Sequence, residues 1–388
     1  MEIEIVERIM TIEKILIFGG KGGVGKSSIA TATAAWLARE RPEKKVLLMS
    51  FDVAHNVSDI LNVPVGSDLT AVSKNLYAME PNPDQFAQKY AKELQTKMQK
   101  FVDCSVFVNK LEGLKTFFLK TFDPDNLPLG QKNALFFNQL LEDEDALGLS
   151  FDYVVADFPP TGNMMALFEA PMEADQQFLR FALEAFQSIH HKFVKIESFY
   201  RILHPISSRR VEDNSDELTY EIFDLMDQTN ERTAKTAQLL KKVGSLRLVS
   251  IAEKASIEEA KRAYDLANPY VPVHGLHVNR TIPANLEGKI GFLDTAIARE
   301  RRYVQQAQDH FGPKGVEVVR SELLEDEPVG LEGALRLAEE VYGDKTAMEV
   351  LFPSSSKPPT GRFSTVGKLP SPASAAVHDQ VETEGINR

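Results

Sequence analysis

The chain has 388 residues, of which 43% are hydrophobic, 26% charged and 9% aromatic, as in an ordinary soluble globular protein. Acidic residues outnumber basic ones by 56 to 44, and this balance disfavours non-specific binding to nucleic acid, so no nucleic-acid partner is expected. A single cysteine, Cys104, excludes an internal disulfide and a cysteine-based zinc site. The sequence contains neither an apolar run long enough to cross a bilayer nor a secretion signal, so we expect a cytoplasmic protein.

Short apolar runs alternate with helical patterns from the start of the chain, where a strand is predicted at 14–18 and a helix at 28–39. The further strands are predicted at 45–51, 152–157, 246–252, 274–279 and 316–322. The further helices are predicted at 83–101, 133–142, 175–194, 215–243, 256–267, 291–311 and 331–341. Several strands are continuously apolar, which is typical of parallel strands buried on both faces. The order predicts an α/β fold, a doubly wound and mostly parallel sheet flanked by helices.

Two stretches interrupt this alternation, because only helices are predicted in them. They suggest helical insertions at about 83–148 and 176–244 within one domain that covers 12–352. The remaining residues, 353–388, are rich in Ser, Pro, Thr and Gly and poor in large aliphatic side chains. Such a segment buries too little apolar surface to offset its chain entropy, so a disordered C-terminal tail is expected.

The strongest motif lies directly between the first strand and the first helix, and it matches the phosphate-binding pattern G-x-x-x-x-G-K-[ST]. Its residues are Gly20, Lys21, Gly22, Gly23, Val24, Gly25, Lys26 and Ser27, followed by Ser28 at the helix start. Glycines let the loop turn its N–H groups toward phosphate oxygens, and the helix N-terminus favours an anion. We expect Lys26 to contact the β- and γ-phosphates and the Ser27 hydroxyl to bind Mg²⁺. The motif predicts a P-loop nucleotide-binding protein.

Two carboxylates follow predicted strands at the edge where ligands of parallel sheets bind. Asp157 ends the strand at 152–157 and could hold Mg²⁺ directly or through water, whereas Asp52 follows the strand at 45–51 and suits orientation of an attacking water. Either residue alone could equally be a turn former or a helix N-cap.

Three stretches together resemble the ArsA-type ATPase family, which includes the arsenite-pump ATPase and the ATPase that delivers tail-anchored membrane proteins. The first is the loop at 20–27, whose early Lys21 makes it a deviant Walker A motif. The second is SFDVAHNVSD at 50–59, which is similar to the family's switch I. The third is DFPPTGN at 157–163, which is similar to its switch II. Weaker similarity continues at 76–80, 278–280 and 330–332, so the resemblance spans about 12–342.

The resemblance implies an enzyme that binds and hydrolyses ATP with Mg²⁺ as cofactor. It implies that Asp52 activates the attacking water, that Asp157 senses Mg²⁺ and the γ-phosphate, and that Asn279 contacts adenine. The early lysine, Lys21, would reach across a homodimer to the partner's nucleotide. Nucleotide-driven movement of the switches would then be coupled to the helical insertions, which would form a surface for a client or partner.

The chain departs from the family pattern in ways that bear on its partners. Val53 replaces the Pro of switch I and Asn163 replaces the His of switch II. With Cys104 alone, neither the family's arsenite-binding cysteine triad nor its dimer-bridging zinc site can form. The Met- and Phe-rich stretch 164–186 is either core or a groove for a hydrophobic helix or a membrane-associated partner.

Three other functions therefore stay open beside the ATPase switch. The chain could be a nucleotide-gated carrier of hydrophobic helices, a positioning ATPase of the ParA or MinD kind, or a nucleotide-binding protein with little hydrolysis. Its acidic charge and the lack of an amphipathic membrane helix in the tail argue against the positioning class.

Overall fold

The computed structural model describes residues 12–52, 56–82, 149–159 and 215–353, together with 92–93, 95–97, 99–100, 137, 164 and 184. Its strands form one eight-stranded sheet in the order β3-β4-β2-β5-β1-β6-β7-β8, parallel except for the β3–β4 pair. The strands are β1 (Lys14–Gly20), β2 (Val46–Ser50), β3 (Thr70–Ala71), β4 (Leu76–Met79), β5 (Tyr153–Asp157), β6 (Gly244–Ile251), β7 (Val273–Thr281) and β8 (Glu317–Glu322).

Helices cover both faces of this sheet. They are α1 (Lys26–Glu40), α2 (Asn56–Leu61), α3 (Ser215–Val243), α4 (Lys254–Ala267), α5 (Gly291–Phe311), α6 (Gly330–Tyr342) and α7 (Ala347–Leu351), with 3₁₀ turns at Ala284–Leu286 and Gly312–Lys314. Successive residues of β1 point to opposite faces, so Ile15 and Ile17 join the core under α3, α4 and α5. Leu16 and Phe18 join the core under α1, α6 and α7. The doubly wound α/β fold expected from the sequence is confirmed.

The position of β1 explains where a ligand can bind. β1 lies between β5 and β6, and the chain fills the sheet first on the β5 side and then on the β6 side. The strand order thus reverses at β1, and in open α/β sheets ligands bind outside the carboxyl ends of the strands at such a switch point. The glycine-rich loop starts at the carboxyl end of β1.

The described elements agree closely with the sequence-based boundaries, with a few informative differences. Helix α1 begins at Lys26 rather than at 28, so that Lys26 and Ser27 lie in its first turn. The short elements β3, β4, α2 and α7 were not predicted, since two to six residues carry little periodicity.

Several predictions fall on residues that the structure does not describe. The helices predicted at 133–142 and 175–194, most of the one at 83–101, and nearly all of the tail lie outside the described ranges. The domain boundaries, including both insertions, therefore stay predictions. None of the described helices is both long enough and apolar enough to cross a membrane.

Candidate functional site

The loop between β1 and α1 needs glycine at two positions for steric reasons. At Gly20, with φ of 149°, a Cβ atom would lie 2.2 Å from the Val249 carbonyl oxygen of the neighbouring strand. Gly25 has a left-handed φ of 90°, and its Cβ would lie 2.4 Å from Nδ2 of Asn279. The loop is therefore held tightly against β6 and β7.

Two polar residues of the motif turn inward at the start of α1. Lys26 and Ser27 are 5% and 8% exposed, and the Lys26 ammonium lies 3.4 Å from the Lys21 carbonyl oxygen of the same loop. Because Gly25 precedes the helix, no side chain caps its first N–H groups. A buried cation and uncapped helical N–H groups form an arrangement suited to a phosphate. Lys21 itself is exposed on the surface of the loop.

The serine that ends β2 links the two carboxylates predicted for this site. The Ser50 hydroxyl donates to Asp157 Oδ2 at 3.0 Å and accepts the Asp52 N–H at 3.3 Å. The register explains the contact, since Ser50 is the strand partner of Asp157. Asp157 is fully buried and Asp52 is half-buried. The structure thus brings both aspartates to the carboxyl ends of adjacent strands, as predicted.

Asp157 carries a buried oxygen with spare bonding capacity. Its Oδ1 atom has no hydrogen-bond partner among the described residues. Burial raises the pKa of Asp157 to about 6, a rise that Ser27, Lys26 and Ser50 oppose and that the charge of Asp52 reinforces. A buried carboxylate oxygen beside a serine of the phosphate loop is a donor set of the kind that Mg²⁺ binds, directly or through water. These residues fit the expected Mg²⁺.

A cavity of about 780 Å³ opens beside the phosphate loop. The predicted residues that line it are Gly23, Gly25, Lys26, Ser27, Ser28, Asp52 and Asn279. Its opposite wall is the end of β8 and the connection to α6, residues 322–329. The cavity is large enough for a small-molecule ligand and joins the phosphate loop to a wall that could hold a base.

Asn279 lies at the end of β7, 3% exposed, and its side chain binds the phosphate loop itself. Its Nδ2 donates to the Val24 carbonyl oxygen at 3.0 Å, and its Oδ1 accepts the Ser321 hydroxyl at 3.0 Å. The next residue, Arg280, has a left-handed φ of 58° and places its guanidinium 3.4 Å from the Gly23 carbonyl oxygen. Both side chains thus cover the outer side of the loop.

Three phenylalanines pack directly beneath the aspartates. Phe51 and Phe158, which follow β2 and β5, stack with ring centroids 4.4 Å apart. Phe137, from the first predicted insertion, contacts both edge-on at 5.8 and 5.7 Å. We call these three residues the aromatic triad. Met164, a candidate for a client groove, is instead fully buried and packs against Gly19, so this residue belongs to the core.

Sequence reasoning missed four side chains that shape the site: Ser50, Glu80, Arg280 and Ser321. Glu80 is buried at the end of β4, and its Oε1 accepts the N–H groups of Val57 at 2.8 Å and Ser58 at 3.3 Å. It therefore anchors the start of α2, four residues after Asp52. The S-x-D pattern could have indicated Ser50, but the other three act through contacts distant in sequence. Val53 and Asn163 lie outside the described residues.

Comparisons with known proteins agree with this site. The model of the anion-transporting ATPase family matches residues 13–343. A protein of Prosthecochloris vibrioformis named "Putative arsenical pump-driving ATPase" is 26% identical over 87% of this chain and 78% of its own length. One from Aquifex aeolicus with the same name, numbered 1, is 26% identical over 86% and 79%. One Escherichia coli protein named "Arsenical pump-driving ATPase" is 32% identical, over 42% of this chain and 26% of its own length.

The match to the family model covers most of the chain, including every element that carries the phosphate loop, the two aspartates and Asn279. Members of this family use ATP and Mg²⁺ and often work as dimers. Together with the phosphate loop and the cavity beside it, the match shows that the chain belongs to the ArsA-type family of anion-transporting ATPases and is an ATPase.

Proposed function

We propose that the protein is a Mg²⁺-dependent switch ATPase, in which the state of the nucleotide is transmitted to a helical surface that binds a client or partner. The proposal rests on the side-chain packing at the carboxyl ends of β2 and β5. Each aspartate adjoins a member of the aromatic triad, and the third member belongs to the first predicted insertion. A change at the aspartates therefore has a packed route to that insertion.

The phosphate loop provides the binding half of the mechanism. N–H groups of residues 20–27 would donate to the β- and γ-phosphates and the Lys26 ammonium would offset their charge, while Ser27 and Asp157 would hold Mg²⁺. The bound metal ion supplies positive charge against the phosphate oxygens. Arg280 adds a further cation beside the loop, where its guanidinium lies 3.4 Å from the Gly23 carbonyl oxygen.

Asp52 provides the reactive half. Its half-buried carboxylate lines the cavity that contains Lys26 and Ser27, so it can accept a hydrogen bond from a water molecule near the γ-phosphate. Ser50 fixes the backbone of Asp52 relative to Asp157, because one hydroxyl bonds both residues. Loss of the γ-phosphate would release Asp52 and Asp157 together.

The two predicted insertions meet in at least one described contact, which supports a joint surface. Lys97, from the first insertion, forms a 2.6 Å ion pair with Glu221 on α3, from the second. An exposed pair of this kind contributes little stability, because water screens the two charges. It nevertheless favours the arrangement in which both insertions respond to one switch, and a client or partner that recognises helices would bind there.

The coupling is tested by hydrogen exchange of residues 83–148 with Mg²⁺ and either ADP or a non-hydrolysable ATP analogue. We expect the wild type to exchange differently in the two states. Phe137→Leu, which weakens the ring contacts to Phe51 and Phe158, should reduce that difference while ATP binding changes less than about threefold, since a conservative core substitution is usually tolerated.

Phe311→Leu is the matched control, because Phe311 is equally buried in the same core but packs against Tyr264, where α5 covers β7 and β8, and has no ring contact with the aromatic triad among the described residues. It should leave the nucleotide-dependent exchange intact. Equal exchange in the two nucleotide states of the wild type, or a difference that survives Phe137→Leu unchanged, would contradict the coupling.

A homodimer completes the proposal. Lys21 is exposed on the phosphate loop, where it could reach the nucleotide of a second copy. Light scattering with ATP and Mg²⁺ should give twice the monomer mass for the wild type and a reduced dimer fraction for Lys21→Ala. A monomer with bound nucleotide would count against this role of Lys21.

A further inference from the structure

Ser321 lies at the carboxyl end of β8 and is 1% exposed. Its hydroxyl is hydrogen-bonded to Asn279, and Asn279 lines the cavity beside the phosphate loop. The direction of the bonds follows from their chemistry. The Val24 carbonyl oxygen can only accept, so the Asn279 atom that faces it must be Nδ2. Oδ1 of Asn279 therefore faces Ser321, and because this oxygen can only accept, the Ser321 hydroxyl must donate.

The relay from Ser321 to the phosphate loop is held at both ends. At one end, the Thr281 hydroxyl donates to the Ser321 carbonyl oxygen at 3.1 Å, which fixes the backbone that carries the serine. At the other end, Gly25 leaves the space that Nδ2 of Asn279 needs, since a Cβ there would lie only 2.4 Å away. The amide of Asn279 can rotate by 180° only by placing its oxygen against the Val24 carbonyl oxygen, an unfavourable contact.

A fixed amide retains a defined recognition pattern. The bonds to Val24 and Ser321 use one N–H group and one oxygen lone pair of the Asn279 amide. The second N–H group and the second lone pair stay available to a ligand. One donor beside one acceptor matches the N7 acceptor and the 6-amino donor of adenine. A purine with a 6-oxo group offers two acceptors instead, so one of them would face the amide oxygen.

We propose that Ser321 is a specificity-determining residue, which makes the site select adenine by fixing the orientation of the Asn279 amide. It is a positioning residue, because it acts through Asn279 and does not itself contact the nucleotide. The proposal rests on the ATP-binding function above and assigns the source of base selectivity to a residue on the last strand of the sheet.

The test is the ratio of affinities for ATP and inosine triphosphate, which carries a 6-oxo group in place of the amino group, measured by titration calorimetry with Mg²⁺. The wild type should prefer ATP by about tenfold or more, since one bidentate pair discriminates by about 1–3 kcal/mol. Ser321→Ala should reduce this preference by about threefold to tenfold, and Asn279→Ala should nearly abolish it. Ser321→Cys keeps the size and a weaker donor, so its ratio should fall between those of wild type and alanine.

Ser245→Ala is the matched control. Ser245 is fully buried on β6, and its hydroxyl bonds the His274 ring at 2.8 Å at the opposite end of the sheet. Its loss should affect stability about as much as Ser321→Ala but leave the ratio unchanged.

The possible results separate the two proposals. A ratio that falls with Asn279→Ala but not with Ser321→Ala or Ser321→Cys overturns the relay and leaves ATP binding intact. A wild type that binds neither nucleotide overturns both proposals. If Ser321→Ala does not fold, a wild-type ratio in Ser321→Cys overturns the relay on its own.

Discussion

Two groups of buried polar side chains lie in this sheet, and they differ in how they are satisfied. The first lies at the carboxyl ends of the strands, near the cavity, and includes Asp157, Asn279 and Ser321. The second lies under α6 and α7 and consists of Lys14, Arg247, His274 and His277. In the first group, Ser321 donates to Asn279 and Ser50 donates to Asp157, and Oδ1 of Asp157 has no hydrogen-bond partner among the described residues.

The second group consists of basic side chains, and two of them, Arg247 and His277, are incompletely hydrogen-bonded among the described residues. One guanidinium nitrogen of Arg247 donates to the Val350 carbonyl oxygen, and neither ring nitrogen of His277 has a hydrogen-bond partner among the described residues. Burial, and then the charge of Arg247, lowers the pKa of His277 to about 3 and that of Lys14 to about 8.

The difference between the groups teaches that burial alone does not identify a functional polar residue. In the first group, Asn279 lines the cavity and Asp157 adjoins Ser27, which also lines it, so a ligand with its metal ion can use the remaining bonding capacity. In the second, it faces packed side chains such as Phe18 and Tyr342, so it only lowers stability. Substitutions should therefore change activity in one group and stability in the other.

The largest difference is expected between two buried lysines, Lys14 at the start of β1 and Lys26 at the start of α1. Lys26→Ala should lower ATPase activity by about 10²–10³-fold, the usual cost of removing one group that stabilises transition-state charge. Lys14→Met should keep activity and leave stability equal or higher, because the buried charge of Lys14 is already disfavoured. Steady-state ATPase assays and thermal unfolding of both variants measure this contrast. Loss of ATPase activity in Lys14→Met would contradict the expected difference between the two groups.

A smaller effect is expected for the pH dependence of stability. His277 has a folded-state pKa of about 3 and an unfolded-state pKa near 6.5, so the unfolded chain binds the extra proton between these values. Stability should therefore fall as the pH decreases from 6.5 toward 3, by about 1.4 kcal/mol per pH unit for such a group. His277→Phe should unfold at higher denaturant concentration than wild type at pH 5 and show a smaller advantage at pH 8. An equal shift at both pH values would contradict the assignment.

Asp157 should show the opposite sign. Its folded-state pKa of about 6 exceeds the ordinary value of 3.8, so its contribution to stability is full below pH 3.8 and is lost as the pH rises through 6.

The smallest effect is expected for the pH dependence of ATP binding, which follows from the same pKa of Asp157. At pH 5 only about a tenth of the Asp157 side chains are ionised, so Mg²⁺-dependent ATP binding should weaken about tenfold between pH 7.5 and 5. Asp157→Asn supplies the control, since it retains the titration of the nucleotide but not that of the carboxyl group. Parallel pH profiles for wild type and Asp157→Asn would contradict the role of Asp157.

Much of the fold was predictable because its longer elements carry clear periodicity. Helices α3 and α5 begin and end at the predicted residues, and the loop motif fixed the place of the site. The contacts across the sheet were not predictable, since Ser321 reaches Asn279 over 42 residues and Glu80 reaches Val57 over 23. The burial of Arg247 and His277 was not predictable either, because a single polar residue in an apolar strand does not show which face of the sheet it occupies.

The central claim is that Asp52 and Asp157 act as a hydrolytic switch beside the phosphate loop. Its most direct test is the steady-state ATPase activity of wild type and Asp52→Asn with Mg²⁺, with ATP binding measured for both. We predict that the mutant binds ATP within about threefold of wild type but hydrolyses it at least about 10²-fold more slowly, the usual cost of losing a general base. Hydrolysis at the wild-type rate in Asp52→Asn, or ATP binding without turnover in the wild type, would contradict this account.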